Sequence, residues 1–463
     1  MMQLSVDEVL RLSPDEASAK AAKGLVVPGK WASLAFSDAA VWGECKGSGA
    51  KPYQVQVDLA EPAFRCSCPS RKFPCKHGLA LLLLKAQHPN NFSPADPPAW
   101  VSDWLASRKQ RADKQEQKQT EAVTKPAMAA DPQASSRREA QRQSRMQAGL
   151  DDLDRWLADR VRQGLAQLPA HPDIWNEMAT RMIDAQLPGM AFRLRRIGTW
   201  IGKDETWPAR VLGGLGQLHV LIDAYRRLDT LPQATQTDIH TALGVVLDRE
   251  AVLASGERVS DVWLILGQHI DEDSRLWARR VWLQGAQSGR RALLLDYAHG
   301  ARQFEQMYVP ATSLQMTLVF FPGNASLRAL PVDDRARSVA LDDRARSTAH
   351  DNGARSTAHA SPPSVLLNDA LDTTSRQLAA NPWQWPQPLL LGDGVPGRDA
   401  SGWTLQTAAH RLKLSLHDDD GWRLLAESGG APLILFGEWD GDSLRPLSAW
   451  GSRLVWVDEG AAR

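Results

Sequence analysis

The chain has 463 residues, too many for one ordinary hydrophobic core, so we expect two or three folded units. It carries 54 basic and 54 acidic side chains, and this zero net charge excludes a global electrostatic attraction to nucleic acid or to a membrane surface. The N-terminus is acidic and amphipathic, and the longest apolar stretch, Leu79 to Leu84, is too short to cross a bilayer. We therefore expect a cytoplasmic protein that does not associate with membranes.

Residues 1–99 are predicted to form the first unit, with a short helix, strands over Trp42 to Cys45 and Tyr53 to Leu59, a cysteine cluster and a second helix. Residues 100–146 follow, and the run from Arg108 to Arg145 is polar with almost no large apolar side chains. Such a segment cannot bury enough surface to offset the entropy of ordering. The sequence therefore predicts a flexible polar linker here.

A helical domain is predicted over residues 147–255. Its first helix is indicated by apolar residues at three- and four-residue spacing, namely Leu150, Leu153, Leu157, Val161, Leu165 and Leu168. Pro172 is expected to end this helix. The same spacing over Ile174 to Ile183 and over Val211 to Leu228 predicts two more helices.

Short β-prone runs predict an antiparallel β region over residues 256–330 and a β-rich region over residues 363–463. In the second of these, HDDDG at 417–421 is interpreted as a hairpin turn between two strands, rather than as an acidic metal site. Residues 331–362 contain three near-copies of a nine-residue polar unit. Units this short cannot stack into a core, so they predict a disordered insertion, and a docking motif in triplicate stays the alternative.

The cysteine cluster reads CSCPSRKFPCKH, which has the spacing CxCx6CxH. Cys66 and Cys68 lie two residues apart, so in an extended backbone both thiols point to the same side. Pro69 and Pro74 restrict the backbone between Cys68 and Cys75 and favour a tight turn that brings Cys75 and His77 opposite the first pair. The predicted ligands are therefore Cys66, Cys68, Cys75 and His77. Three sulfurs and one nitrogen fill a tetrahedral zinc site, so the pattern predicts one structural Zn²⁺. The fourth cysteine, Cys45, is expected in the core.

This motif, preceded by a β-hairpin and followed by a helix, resembles the SWIM zinc finger family over about residues 50–90. The resemblance implies a ββα zinc module, with roles in DNA binding or protein interaction. The whole chain looks most like bacterial SWIM finger proteins of unassigned function. That likeness implies as partners a MoxR-type AAA+ ATPase and a von Willebrand A-type protein. The expected fold class is therefore multidomain α+β, with a SWIM finger, a linker, a helical domain and a mainly antiparallel C-terminal β domain.

Basic residues surround the predicted ligands, namely Arg65, Arg71, Lys72 and Lys76. They are candidates for contact with nucleic-acid phosphates. They would equally well stabilise the net negative charge of a site in which three thiolates bind one Zn²⁺ ion. The apolar helix GLALLLLKAQ that follows is expected to pack in the core, with a docking surface as the alternative.

Signatures of common enzymes are missing from the sequence, which contains no GxxxxGK[ST], HExxH or GxSxG. GGLGQLH at 213–219 lies inside a helical pattern, so we do not interpret it as a phosphate loop. Trp383 and Trp385 are expected to pack in the β domain, with a recognition surface as the alternative. We therefore predict a noncatalytic recognition or adaptor module for protein or nucleic acid. The competing hypothesis is an enzyme with an unrecognised active site in the C-terminal β region.

Overall fold

A computed structural model describes residues 6–13, 16–47, 51–59, 63–70, 74–107, 132–170, 173–245, 247–273, 276–299, 304, 306, 308–332, 337–338, 361–400 and 402–458. In these ranges the chain forms an N-terminal sheet with helices, a helical bundle, and two further sheets with two helices. This is the multidomain α+β architecture that the sequence predicted. None of the helices in these ranges combines enough length with enough apolar character to cross a membrane.

The N-terminal unit is a five-stranded sheet covered by helices. Its elements are α1 (Val6–Arg11), α2 (Glu16–Lys23), β1 (Trp31–Phe36), β2 (Ala40–Cys45), β3 (Tyr53–Asp58), β4 (Ala63–Cys66), α3 (Lys76–Gln87), β5 (Ser93–Pro94) and α4 (99–107). The strand order is β4-β3-β2-β1-β5, antiparallel except for the β1–β5 pair. All residues of α3 from His77 to Leu84 are buried, so the apolar helix packs in the core, as the sequence favoured.

The structure differs from the flexible linker predicted over residues 100–146 at both of its ends. Residues 99–107 form α4, and α5 (Pro132–Gln163) begins well before residue 146. Arg, Gln, Glu and Ala are good helix formers, and Met146 and Leu150 anchor the segment in the bundle core. Residues 108–131 lie outside the described part of the chain.

The helical bundle consists of α5, α6 (Asp173–Asp184), α7 (Pro188–Gly198), α8 (Trp207–Arg226), α9 (Gln233–Leu243) and α10 (Arg249–Ser255). Its core includes the predicted Leu150, Leu153 and Leu157, which are 4% exposed or less. Val161, however, is 52% exposed. α5 ends at Gln163 rather than at Pro172, because Gly164 adopts a positive φ of 78° that terminates the helix.

The second sheet contains β6 (Glu257–Asp273), β7 (Leu276–Gly285), β8 (Arg291–His299), β9 (Ser313–Phe320), β10 (Ala329–Pro331) and β11 (Arg337–Ser338). The strand order is β10-β9-β6-β7-β8, with β11 on β9, and its strand pairs are antiparallel as predicted. Most of the nine-residue repeats lie outside the described residues. Arg337–Ser338, inside the first repeat, pairs with β9 rather than standing apart from the fold.

The third sheet contains β12 (Gln387–Asp399), β13 (Gly402–Gln406), β14 (Arg411–Leu414), β15 (Leu433–Trp439), β16 (Ser443–Trp450) and β17 (Leu454–Val457). The same region contains the helices α11 (Leu367–Ala380) and α12 (Asp418–Ser428). The order is β14-β13-β12-β15-β16-β17, and a parallel pairing of β14 with β16 closes five strands on themselves. Trp282, Phe436 and Trp450 belong to the apolar layer between the second and third sheets.

The hairpin turn predicted at HDDDG is wrong, because these residues begin helix α12. Three aspartates in a first helical turn interact favourably with the helix dipole. Asp418 also accepts hydrogen bonds from Trp403 Nε1 at 2.9 Å and Arg398 Nη2 at 3.0 Å. Gly421 lies so close to Trp403 that no side chain would fit there.

Candidate metal centre

Two elements bring the predicted ligands together. Cys66 ends β4, which pairs with β3 through Val55, and Cys75 stands immediately before α3, with His77 in the first turn of that helix. Beyond Cys66 the pairing is extended because Ser67 N donates to Gln54 O at 3.0 Å and Gln54 N donates to Ser67 Oγ at 2.9 Å. These bonds continue the pairing of β3 and β4 one residue beyond Cys66, as far as Ser67, and the chain bends at Cys68.

The four predicted ligands converge. One ligand atom from each of Cys66, Cys68, Cys75 and His77 lies within 4.8 Å of all the others, and Cys66 Sγ is 3.8 Å from His77 Nδ1. A tetrahedral zinc site with Zn–S and Zn–N bonds of about 2.3 and 2.0 Å has edges of roughly 3.5–3.8 Å. The donor set and its spacing therefore fit zinc. Of the residues that the structure describes, no other group of three or more His, Cys, Asp or Glu converges in this way.

Comparison with known protein families matches the same segment to the SWIM zinc finger, over residues 53–86. A second family, the SWIM-associated four-helix bundle domain, matches residues 141–243. The chain contains a SWIM zinc finger and a SWIM-associated helical domain. The first match runs from β3 through α3 and includes all four ligands, and the second covers most of the helical bundle. No curated protein and no solved structure matches the chain.

The zinc site of the SWIM finger belongs to the folded core rather than to a surface cleft. Cys75 and His77 are 7% and 6% exposed, while Cys66 and Cys68 are half-buried. The ring of Tyr53 lies 4.9 Å from the ring of His77 and limits its rotation. With four protein ligands the ion has no open position for water or substrate. The four residues thus form the site of one structural zinc ion.

The thiols influence one another's protonation. Hydrogen bonds with Cys68 and Cys75, together with burial, raise the pKa of Cys66 above that of an ordinary thiol. Hydrogen bonds from Cys66 and Cys75 instead lower the pKa of Cys68. Without a cation the cluster therefore stabilises one thiolate, shared among neighbouring thiols. A bound zinc ion requires all three thiolates and displaces the remaining protons.

Two supporting residues of the SWIM finger were missed by the sequence analysis. Gly78 follows His77 in α3, and a Cβ at this position would lie 2.7 Å from Cδ1 of Phe64 on β4. Glycine thus allows the ligand-bearing turn of α3 to approach β4 closely. The second residue is Tyr53, whose contact with His77 was described above. In the sequence, the glycine directly after the histidine ligand was the one available sign of this close contact. The spacing of the motif does not show that Phe64 lies beside it.

The remaining sequence-predicted residues fall into two groups. Arg65, which precedes Cys66, and Lys76, which stands between Cys75 and His77, are exposed, whereas Arg71 and Lys72 lie outside the described residues. Cys45 is fully buried on β2 and its Sγ lies 3.8 Å from Lys46 O, in agreement with the predicted core position. Burial raises the pKa of the Cys45 thiol, as expected for a packing residue.

The C-terminal β region contains one buried polar cluster between the second and third sheets. Glu438, 5% exposed, accepts hydrogen bonds from Arg280 Nε at 2.7 Å, Arg280 Nη2 at 2.9 Å and Trp282 Nε1 at 2.9 Å. His269 Nδ1 lies 3.0 Å from Asp458 Oδ2, and its Nε2 lies 2.9 Å from Asp271 Oδ1.

Burial opposes protonation of His269, and Arg445 beside its ring also opposes it. The hydrogen bonds to Asp271 and Asp458 outweigh both effects, so the pKa of His269 is raised. Desolvation is the largest single influence on Glu438 and works to raise its pKa, but the charges of Arg280 and His269 and the hydrogen bonds from Arg280 and Trp282 together outweigh it, so the pKa is lowered. The cluster therefore consists of charged groups that stabilise one another across the two sheets.

Proposed function

We propose that this protein is a noncatalytic recognition or adaptor module, in which the zinc ion shapes a binding surface and takes no part in chemistry. The observation that supports this proposal is the closed ligand set, three thiolates and one imidazole converging within 4.8 Å. A catalytic zinc ion keeps one position for water or substrate, and this set leaves none. The role of the finger is then to hold β4 and α3 in one arrangement.

The partner we propose first is a protein. Most of α3 is buried against the sheet and is not accessible to a partner. A partner would therefore bind the outer strands and loops that the metal holds in place. The resemblance to bacterial SWIM proteins suggests a MoxR-type AAA+ ATPase and a von Willebrand A-type protein. Because three neighbouring thiols remain reduced only in a reducing compartment, we also propose that the protein acts in the cytoplasm.

Copurification tests the protein-partner proposal. The tagged full chain is mixed with the MoxR-type ATPase and the von Willebrand A-type protein from its own source, and Cys66→Ser serves as the zinc-free variant. Lys23→Glu, an exposed change on α2, is the matched control. We expect a complex with the wild type and with Lys23→Glu that is lost with Cys66→Ser. Equal capture by Cys66→Ser, or no complex at micromolar concentrations, would argue against this role.

Nucleic acid is the second candidate partner, and exposed Arg65 and Lys76 beside the zinc site support it. Neither has an ion-pair partner in the described part of the chain. Phosphate contacts release counterions, so the affinity should fall as salt rises. We expect Arg65→Glu with Lys76→Glu to weaken binding to DNA or RNA, while Lys23→Glu leaves it unchanged. An unaltered affinity in the double variant would exclude this surface.

A catalytic C-terminal region stays the competing proposal. Its strongest group is the cluster around His269 and Glu438, in which His269 has carboxylate partners on both ring nitrogens. Such saturation favours a structural role, because a general base needs a free position toward substrate. An activity that His269→Gln abolishes without loss of folded structure would favour the enzyme instead.

A further inference from the structure

A cleft of about 270 Å³ lies between the helical bundle and the third sheet. Residues of α7 and α8 form one side, and Trp385 with the β15–β16 turn at 440–442 forms the other. No residue that the structure describes in the finger, 53–86, lines the cleft. Gly213 and Gly214 also line the cleft. They begin the GGLGQLH motif, which lies within a helix and is not a phosphate-binding loop.

Arg193 is the most unusual residue of this cleft. Its guanidinium donates a 2.6 Å hydrogen bond from Nη2 to Trp383 O, and within the described ranges it has no carboxylate partner. Burial, and then the charge of Arg196, lower its pKa to about 10, so it stays protonated at neutral pH. Arg193 is only partly buried, but a partly desolvated charge without a counter-ion is still unfavourable unless another group compensates it. An anion in the cleft would supply that compensation.

The ion pairs of the other two arginines of the cleft show where positive charge lacks a carboxylate partner. Arg210 is satisfied, because it lies 3.2 Å from Asp442, 3.5 Å from Asp204 and 3.8 Å from Asp440. Arg196 is only 4.0 Å from Asp440, which it shares with Arg210. The excess of positive charge is therefore concentrated at Arg193 and Arg196, on α7.

The walls of the cleft suit a flat apolar group. Trp200 and Trp385 both line it, with ring centroids 5.6 and 5.9 Å from the guanidinium of Arg196. A Cβ at Gly213 would have no neighbour within 4 Å, so the backbone of α8 is open to a ligand there. A planar ring can thus lie against the helix beside two indoles.

We propose that this cleft binds a small organic anion in which one phosphate or carboxylate group is joined to a planar ring. The anionic group pairs with Arg193 and Arg196, and the ring lies over Gly213 beside Trp200 and Trp385. The volume limits the ligand to about the size of a nucleoside monophosphate or an aromatic carboxylate. The ligand would join the helical bundle to the third sheet, because each contributes a wall.

Two glycines of α8 provide a matched pair of variants. Neither Gly213 nor Gly216 would place a Cβ within 4 Å of another group, and both sit in regular helix, so a larger side chain is tolerated at each. Gly213 lines the cleft, whereas Gly216 does not. Gly213→Leu therefore fills the cleft, and Gly216→Leu adds the same side chain on a different part of the helix surface.

The test is isothermal titration of the full zinc-loaded chain with AMP, GMP, CMP, UMP and salicylate. Inorganic phosphate provides the charge without a ring, and adenosine provides the ring without the charge. We expect at least one ring-bearing anion to bind more tightly than both controls. Binding of a monophosphate identifies the anion as a nucleotide, and binding of salicylate identifies it as an aromatic carboxylate. If none of the five binds at millimolar concentration, or if phosphate alone binds as tightly, the proposal is overturned.

The variants locate the site. Gly213→Leu should weaken binding by more than about tenfold, while Gly216→Leu stays within about twofold of the wild type. Arg193→Met should also weaken binding more than about tenfold, since a charge-assisted hydrogen bond is worth about 1.5–3 kcal/mol. Unchanged binding by Gly213→Leu would place the ligand elsewhere and refute the assignment, even if Arg193→Met fails to fold.

Discussion

Replacement of Gly78 by alanine tests how the SWIM finger holds its ligands. The new Cβ would lie 2.7 Å from Cδ1 of Phe64, whereas carbon atoms in ordinary contact are about 3.5–4.0 Å apart. Phe64 is 5% exposed and packed in the finger core, so its ring has little room to move. The alanine therefore forces α3 away from β4, and Cys75 and His77 move with it.

The size of the effect follows from two opposing contributions. Overpacking a dense core costs about 1–3 kcal/mol, and alanine is favoured over glycine in a helix by about 0.5–1 kcal/mol. The middle of the two ranges gives a net loss of about 1.3 kcal/mol, and their limits are about 0 and 2.5 kcal/mol. Because zinc binding is coupled to folding of the finger, this loss appears in the zinc affinity. At about 1.4 kcal/mol per factor of ten, Gly78→Ala should bind zinc roughly 8 times more weakly.

Competition with a metal indicator measures this zinc affinity. The matched control is Gly216→Ala, also in a helix, where a Cβ meets nothing within 4 Å and zinc binding should not change. A second change, Phe64→Leu, makes room for the new methyl group and should reduce the effect of Gly78→Ala. If Gly78→Ala binds zinc as tightly as the wild type, the close approach of α3 to β4 does not position the ligands.

The polar cluster between the second and third sheets gives two further expectations. Glu438→Leu removes the hydrogen bonds of 2.7 and 2.9 Å from Arg280, which keeps its ion pair with Asp271, so unfolding of the β region should become easier by about 3 kcal/mol. Calorimetry should show a smaller loss for Glu438→Leu with Arg280→Met, and an equal loss would contradict the pairing. The raised pKa of His269 contributes stability fully below about pH 6.5, and this contribution is lost as the pH rises through the raised pKa. Urea unfolding should therefore show that His269→Gln costs more at pH 6 than at pH 9, and a cost that grows with pH would refute this sign.

The ligand set of the zinc site could be predicted because it depends on local spacing. Cys66 ends β4 and Cys68 lies at the bend two residues later, and Cys75 and His77 flank the start of a helix. The supporting contacts could not be predicted in the same way. Gly78 meets Phe64 only after the hairpin and α3 have packed together, so its role depends on the tertiary structure.

Local pattern also failed where tertiary contacts decide the structure. The acidic HDDDG run has the composition of a turn, yet Asp418 is held by Trp403 and Arg398, and α12 packs on the third sheet. The segment before residue 147 is polar enough to suggest a linker. Its helical propensity and its continuity with the buried Leu150 extend α5 back to Pro132 instead.

The cleft between the bundle and the third sheet had no sequence signature. Its residues come from α7, α8, the segment before β12 and the β15–β16 turn, which are distant in the chain. Trp385 lines the cleft, whereas Trp383 packs against the bundle core. No periodicity or spacing connects these positions, so only the fold brings them together.

Metal analysis of the purified chain tests the central claim most directly. We expect about one zinc ion per chain in the wild type and none in Cys66→Ser or His77→Ala. In both variants the helical bundle and the two C-terminal sheets should remain folded, because among the buried residues described for these regions only Val309 belongs to the core of the finger. Zinc retained by either variant at the wild-type ratio would contradict the four-ligand site.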